Sequence, residues 1–139
     1  KVNASNAFSN SPYNTPISFK IDQTAPAAPQ LVRPLNLSIV KDTAYFRWNY
    51  TTSSLNGDIK FDSLIVANFA DSAFATPYTA VVSRASAASS SNLYKINNLL
   101  TFPTTSLTVS PYYWWKVKSI DSVGNVSPSS TVFKVKLTN

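Results

Sequence analysis

The sequence contains no cysteine, histidine or methionine, and its six acidic side chains are all aspartate. Without thiolate or imidazole, zinc, haem and iron–sulfur ligation of the usual kinds is excluded. Serine–histidine and cysteine–histidine catalysis is excluded for the same reason. No apolar run is long enough for a bilayer-crossing helix, so no membrane insertion by this segment is expected. The sequence opens on Lys1 without a charged-then-apolar stretch, and it is expected to be a processed or excised piece of a longer chain. The absence of cysteine leaves the redox compartment open.

What is present describes a folding chain. Of 139 residues, 44% are hydrophobic and 13% aromatic, enough for one domain with a real core. The formal charge is +6, but Lys and Arg stand singly along the chain. The one grouping, Lys116, Lys118, Lys134 and Lys136, alternates along two expected strands, the pattern of a solvated or protected sheet face. No nucleic-acid partner is expected.

The hydrophobic period is two. Ala44 to Tyr50 alternates with Phe46 and Trp48 on one face, and Tyr113 to Ser119 alternates with Tyr113, Trp115 and Val117 on one face. Thr131 to Leu137 alternates too, and the run Leu64 to Ala67 reads as a strand covered on both sides. Tyr94 to Leu99 is a further strand candidate, and Leu107 to Val109 a weaker one. Small polar residues and Pro fill the gaps, and no segment makes an amphipathic helix. "TAPAAPQLVRP" carries Pro26, Pro29 and Pro34. It reads as a stiff linker running into a first edge strand, because proline cannot serve a central one. Short, regularly spaced strands without helices mean a sandwich or a barrel.

The order of these motifs resembles the fibronectin type III-like and related immunoglobulin-like modules of bacterial surface and secreted proteins. The residues that carry the resemblance are the Pro-rich entry, Phe46-x-Trp48, and "YYWWKVKSIDSVGNVSP" with Asp121, Gly124, Asn125 and Ser127-Pro128. It covers about residues 24–139 and departs over Ala75 to Asn92. It implies an all-β fibronectin type III or immunoglobulin-like sandwich of about seven strands. Phe46, Trp48, Tyr113, Trp115 and Val117 then form the structural core. Residues 1–22 resemble the last two strands of a preceding copy, so the expected division is 1–22, a linker at 23–34 and one domain at 35–139. Neighbouring modules of the same parent are the expected partners, with glycans or another surface protein as ligands.

Nothing opposes two carboxyls across a cleft, so no residue is nominated for catalysis and no cofactor is expected. Asp58 and Asp62 are close in sequence but read as loop and strand-end residues. Related modules hold calcium at inter-domain joints, which makes Asp22 and Asp121 weak candidate ligands. Asp42-Thr43, Asp62-Ser63, Asp71-Ser72 and Asp121-Ser122 resemble the O-glycosylation signal of exported proteins of Bacteroidetes, nominating Thr43, Ser63, Ser72 and Ser122. Asn-x-Ser/Thr triplets at Asn3, Asn36, Asn49 and Asn125 read as incidental. Tyr112 and Trp114 fall opposite the core face, where an aromatic pair can stack on sugar. The expected role is a non-catalytic structural or adhesive module of a repetitive extracellular or cell-surface protein. The alternatives are an accessory carbohydrate-binding module of a glycan-degrading system and a virion decoration or fibre module.

Overall fold

The computed structural model describes residues 21–41, 43–51, 58–68, 71–84, 86, 89–97 and 112–138. Residues 1–20 of the expected 1–22 remnant of a preceding module, the weaker strand at Leu107 to Val109 and the end of the Tyr94 to Leu99 candidate lie outside them. Eight strands are found: β1 (Gln30–Arg33), β2 (Ile39–Val40), β3 (Ala44–Asn49), β4 (Ile59–Asn68), β5 (Tyr78–Ser83), β6 (Ser91–Ile96), β7 (Tyr112–Asp121) and β8 (Phe133–Leu137). They form two sheets, β1-β3-β6 and β2-β8-β7-β4-β5. All neighbours are antiparallel except β2, which runs parallel to β8.

The alternation in sequence becomes alternation in burial. In β3, Ala44, Phe46 and Trp48 are buried while Tyr45, Arg47 and Asn49 face solvent. In β7, Tyr113, Trp115, Val117, Ser119 and Asp121 are buried. The two inward rows meet between the sheets. Phe46 packs edge-on against Trp115 at 5.1 Å, and Phe133 meets the same indole at 5.9 Å. Trp48 and Trp115 are fully buried, yet neither indole N–H has an acceptor among the described residues. An aromatic side chain buries about 150–250 Å², worth about 4–6 kcal/mol at ~25 cal/mol per Å². An unmet N–H costs about 1–3 kcal/mol, so area wins.

Three features depart from the reading by periodicity. The stretch Ala75 to Asn92, where the family resemblance lapses, contains β5, whose Tyr78 and Val82 pack on the core. The Pro-rich entry is docked on the domain, since Pro26 and Pro29 are buried. Finally, β4 runs from Ile59 and carries a bulge between Ile59 and Phe61 against β7. The extra residue shifts the alternation, so Asp62, Leu64 and Val66 point inward. Asp62 is therefore a core residue and not a strand-end one.

Between β7 and β8 the chain stays attached to β7 through serines. Ser127 N donates to Ser119 O at 2.8 Å while Ser119 N donates to Ser127 Oγ at 2.8 Å. Ser130 and Val117 repeat the exchange at 2.9 and 3.0 Å. Each buried serine stands in for a strand residue, its hydroxyl taking the N–H that a backbone carbonyl would take.

Candidate functional site

Two groups of polar side chains dominate the described residues. The first sits where the chain enters the domain. Oxygens of Asp22, Asp58 and Asp121 lie within 4.8 Å of one another. Asp22 belongs to the docked entry segment, Asp58 immediately precedes β4 and Asp121 ends β7. The sequence nominated Asp22 and Asp121 together; Asp58 was missed, because nothing in spacing links positions so far apart.

The oxygens differ in what they already do. Asp121 Oδ1 accepts from Val123 N and Asn125 N, and its Oδ2 accepts from Asn125 Nδ2. Desolvation raises its pKa, but these bonds from Asn125, Val123 and Gly124 outweigh it and hold the carboxyl below its ordinary value. Gly124, at φ 99°, is the left-handed residue that closes this turn. Asn125 Nδ2 also donates to Asp22 O at 3.1 Å, tying the turn to the entering chain. Asp22 Oδ1 accepts from Thr24 N, and Asp58 Oδ1 is buried without a donor. The donor set is all oxygen, which suits a hard cation, but calcium takes about 6–8 oxygens. Asp22 and Asp58 would be the main protein ligands, since Asp121 is committed to its turn.

The second group is buried between the sheets. Asp62 is 0% exposed. Its Oδ2 accepts from the Tyr50 hydroxyl and from Asn92 Nδ2, and its Oδ1 accepts from Ser119 Oγ at 2.7 Å. Tyr50 and Asn92 lie at the end of β3 and on β6 in one sheet; Asp62 and Ser119 lie in the other. Burial first, then the bond to Asp62, pushes the Tyr50 hydroxyl well above its ordinary pKa. The Arg84 guanidinium stacks on the Tyr50 ring at 4.5 Å. This closed network joins the sheets and offers no reacting group to solvent.

No family model matches the sequence, and no curated protein matches it. Solved structures do. A β-1,2-glucanase from Parabacteroides distasonis superposes with TM-score 0.51 at 16% identity, over 84% of this chain and 13% of that one. The endo-β-1,4-mannanase from Thermotoga petrophila gives 0.51 at 11%, over 85% and 21%. The FN1-FN3 domains of chicken CNTN1 give 0.50 at 13%, over 85% and 32%. The fold is a fibronectin type III-like β-sandwich. This chain spans less than a third of the length of each of those three chains.

On this fibronectin type III-like frame the remaining candidates can be located. Phe46, Trp48, Tyr113, Trp115 and Val117 are buried in one cluster. Tyr112 and Trp114 are half-buried on the outer face of β7, and Lys134 Nζ sits over both rings at 4.3 and 5.3 Å. Thr43, Ser72 and Ser122 are exposed, whereas Ser63 is half-buried in the middle of β4. The aspartates before three of them are already engaged: Asp62 in the core network, Asp71 as acceptor for Ala75 N and Thr76 N, and Asp121 in its turn.

Proposed function

We propose that this chain is a non-catalytic structural and adhesive module of an extracellular or cell-surface protein. The observation that carries the reading is the fixed entry. Pro26 is buried, and Asn125 of the β7–β8 turn, itself held by Asp121, donates to the backbone carbonyl of Asp22. A chain entering at a set angle transmits orientation from one unit to the next, which is the task of a spacer. The outward faces of the sheets remain to present ligand-binding side chains.

Limited proteolysis with a broad-specificity protease tests the mechanical half. Cleavage within residues 21–29 should be slow in the wild type and faster in Asn125→Ala. Rapid cleavage there in the wild type would remove the fixed entry and the reading with it. Protease shaving of intact cells tests the setting: peptides of this chain should be released before lysis, and release only after lysis would refute a surface location.

A second reading, an accessory module of a glycan-degrading system, draws support from the likeness to parts of a glucanase and a mannanase. Its platform would be Tyr112 and Trp114, from which Lys134 must first be displaced. Loss of glycan binding in a folded Trp114→Ala variant supports it; unchanged binding removes that platform.

A further inference from the structure

The outer face of the three-stranded sheet carries an arrangement that packing does not account for. Arg33 on β1 and Arg47 on β3 are direct cross-strand partners, and Leu93 on β6 continues the row. Tyr45 and Lys95 form the next row, with Lys95 Nζ 5.6 Å from the Tyr45 ring. All five are exposed, Tyr45 and Leu93 each to 53%. A groove of about 760 Å³ runs between them, with Val32, Arg33, Tyr45, Arg47 and Leu93 in its walls.

The position of Arg33 depends on a backbone irregularity. Leu31 pairs with Trp48, and both point toward the core. Simple alternation would then send Arg33 inward as well. The register shift between Leu31 and Arg33 adds one residue, Val32, and turns Arg33 out to face Arg47. Like charges directly opposite each other on a sheet destabilise it. No carboxylate offsets them among the described residues. Asp22, Asp58 and Asp121 are gathered at the chain entry, Asp62 is in the core and Asp71 closes its own turn. The sixth, Asp42, lies outside the described residues.

We infer that this face binds a carboxylate-bearing polysaccharide of the polyuronate class. Arg33 and Arg47 each receive a carboxylate with the planar fork of the guanidinium, a sugar ring lies against Tyr45 and Leu93, and Lys95 supplies a further charge. Carboxylates between the two arginines relieve their repulsion, so charge complementarity favours binding. A peptide is the weaker fit, because strand addition uses a sheet edge and these side chains stand on the face. So is a nucleic acid, which calls for more phosphate contacts and several stacking rings in series. The spacer reading is independent of this inference and would stand if the face bound nothing.

The test is titration of the whole chain with polygalacturonate, dextran sulfate, neutral dextran, polyglutamate and a single-stranded oligonucleotide at physiological ionic strength. Polygalacturonate should bind most tightly and neutral dextran not at all. Arg33→Gln and Arg47→Gln should each weaken polygalacturonate about ten- to a hundredfold, the loss of a charge-assisted contact. Both variants should keep the wild-type Tm or exceed it, since each removes a like-charge neighbour. Lys118→Gln on the other sheet makes the same change in net charge and should leave affinity within about twofold. The inference is overturned if polygalacturonate does not bind, or if Lys118→Gln weakens it as much as the arginine variants do. Equal or tighter binding of dextran sulfate, polyglutamate or the oligonucleotide would also overturn it.

Discussion

Replacing Asp62 by Ala should remove the polar tie between the two sheets. The variant leaves the Tyr50 hydroxyl and the Ser119 hydroxyl without their acceptor in a closed interior, while Asn92 Nδ2 keeps Ser83 O at 3.1 Å. Two stranded donors at about 1–3 kcal/mol each, plus a partial loss at Asn92, give a cost of about 3–5 kcal/mol. Typical domain stability is about 5–15 kcal/mol, so the variant should fold but marginally. At about 3–6 °C per kcal/mol, Tm should fall by roughly 10–30 °C. Asp62→Asn keeps the shape and one acceptor oxygen, so its cost should be smaller, about 1–2 kcal/mol. Urea unfolding followed by the fluorescence of buried Trp48 and Trp115 reads both values. A double-mutant cycle with Tyr50→Phe should return a coupling above about 0.5 kcal/mol, because the two groups share one bond. A cost below about 1 kcal/mol for Asp62→Ala would refute the argument, and would mean that the apolar contacts alone hold the sheets together.

Three further outcomes follow from the same geometry. Tyr50 has its folded pKa raised, so its contribution is complete below the unfolded phenol value of about 10 and is lost as pH rises through the folded one. Tyr78 is pushed up to about 12 by its hydrogen bond to Tyr94 and by burial, and acts in the same direction. Stability should thus decline above about pH 10, and Tyr50→Phe should flatten the decline in a pH series of unfolding curves. Asp58→Asn in chelator-treated protein should raise Tm by relieving repulsion among three carboxylates. A fall would contradict that, and a Tm unmoved by calcium at about millimolar level would end the calcium expectation for Asp22 and Asp121. Ser130→Ala strands the buried Val117 N–H and should cost about 1–2 kcal/mol, whereas Ser122→Ala, in an exposed turn, should cost nearly nothing.

The core was legible because large apolar residues obey alternation. Phe46, Trp48, Tyr113, Trp115 and Val117 could be assigned to inner faces by counting in twos, and all are buried. Asp62 was not legible, since its inward direction depends on a bulge that no residue type announces. Ser127 and Ser130 read as loop residues, because a hydroxyl that replaces a ladder carbonyl looks like any other serine. β5 was hidden by the small residues around it, although Tyr78, Ala80 and Val82 alternate. At the chain entry, the Asp-x-x-Gly-Asn turn was visible as a motif. The approach of Asp58 was not, for it depends on β4 and β7 pairing at Ile59 and Asp121.

Two bulges place charge where alternation would not, and the comparison between them separates structural from functional charge. The one in β4 turns Asp62 into the core, where an unpartnered carboxylate would cost several kcal/mol. There three donors from two sheets converge on it. The one in β1 turns Arg33 outward to face Arg47, where repulsion in water costs at most about 1 kcal/mol. The fold tolerates that cost: Arg47 Nη2 donates to Ser91 Oγ at 3.4 Å, and among the described residues no carboxylate stands beside the pair. Inward charge that is fully partnered is explained by folding alone. Outward like charge, held in register by a bulge and left without a counter-charge among the described residues, is the arrangement that an anion from outside the chain would complement.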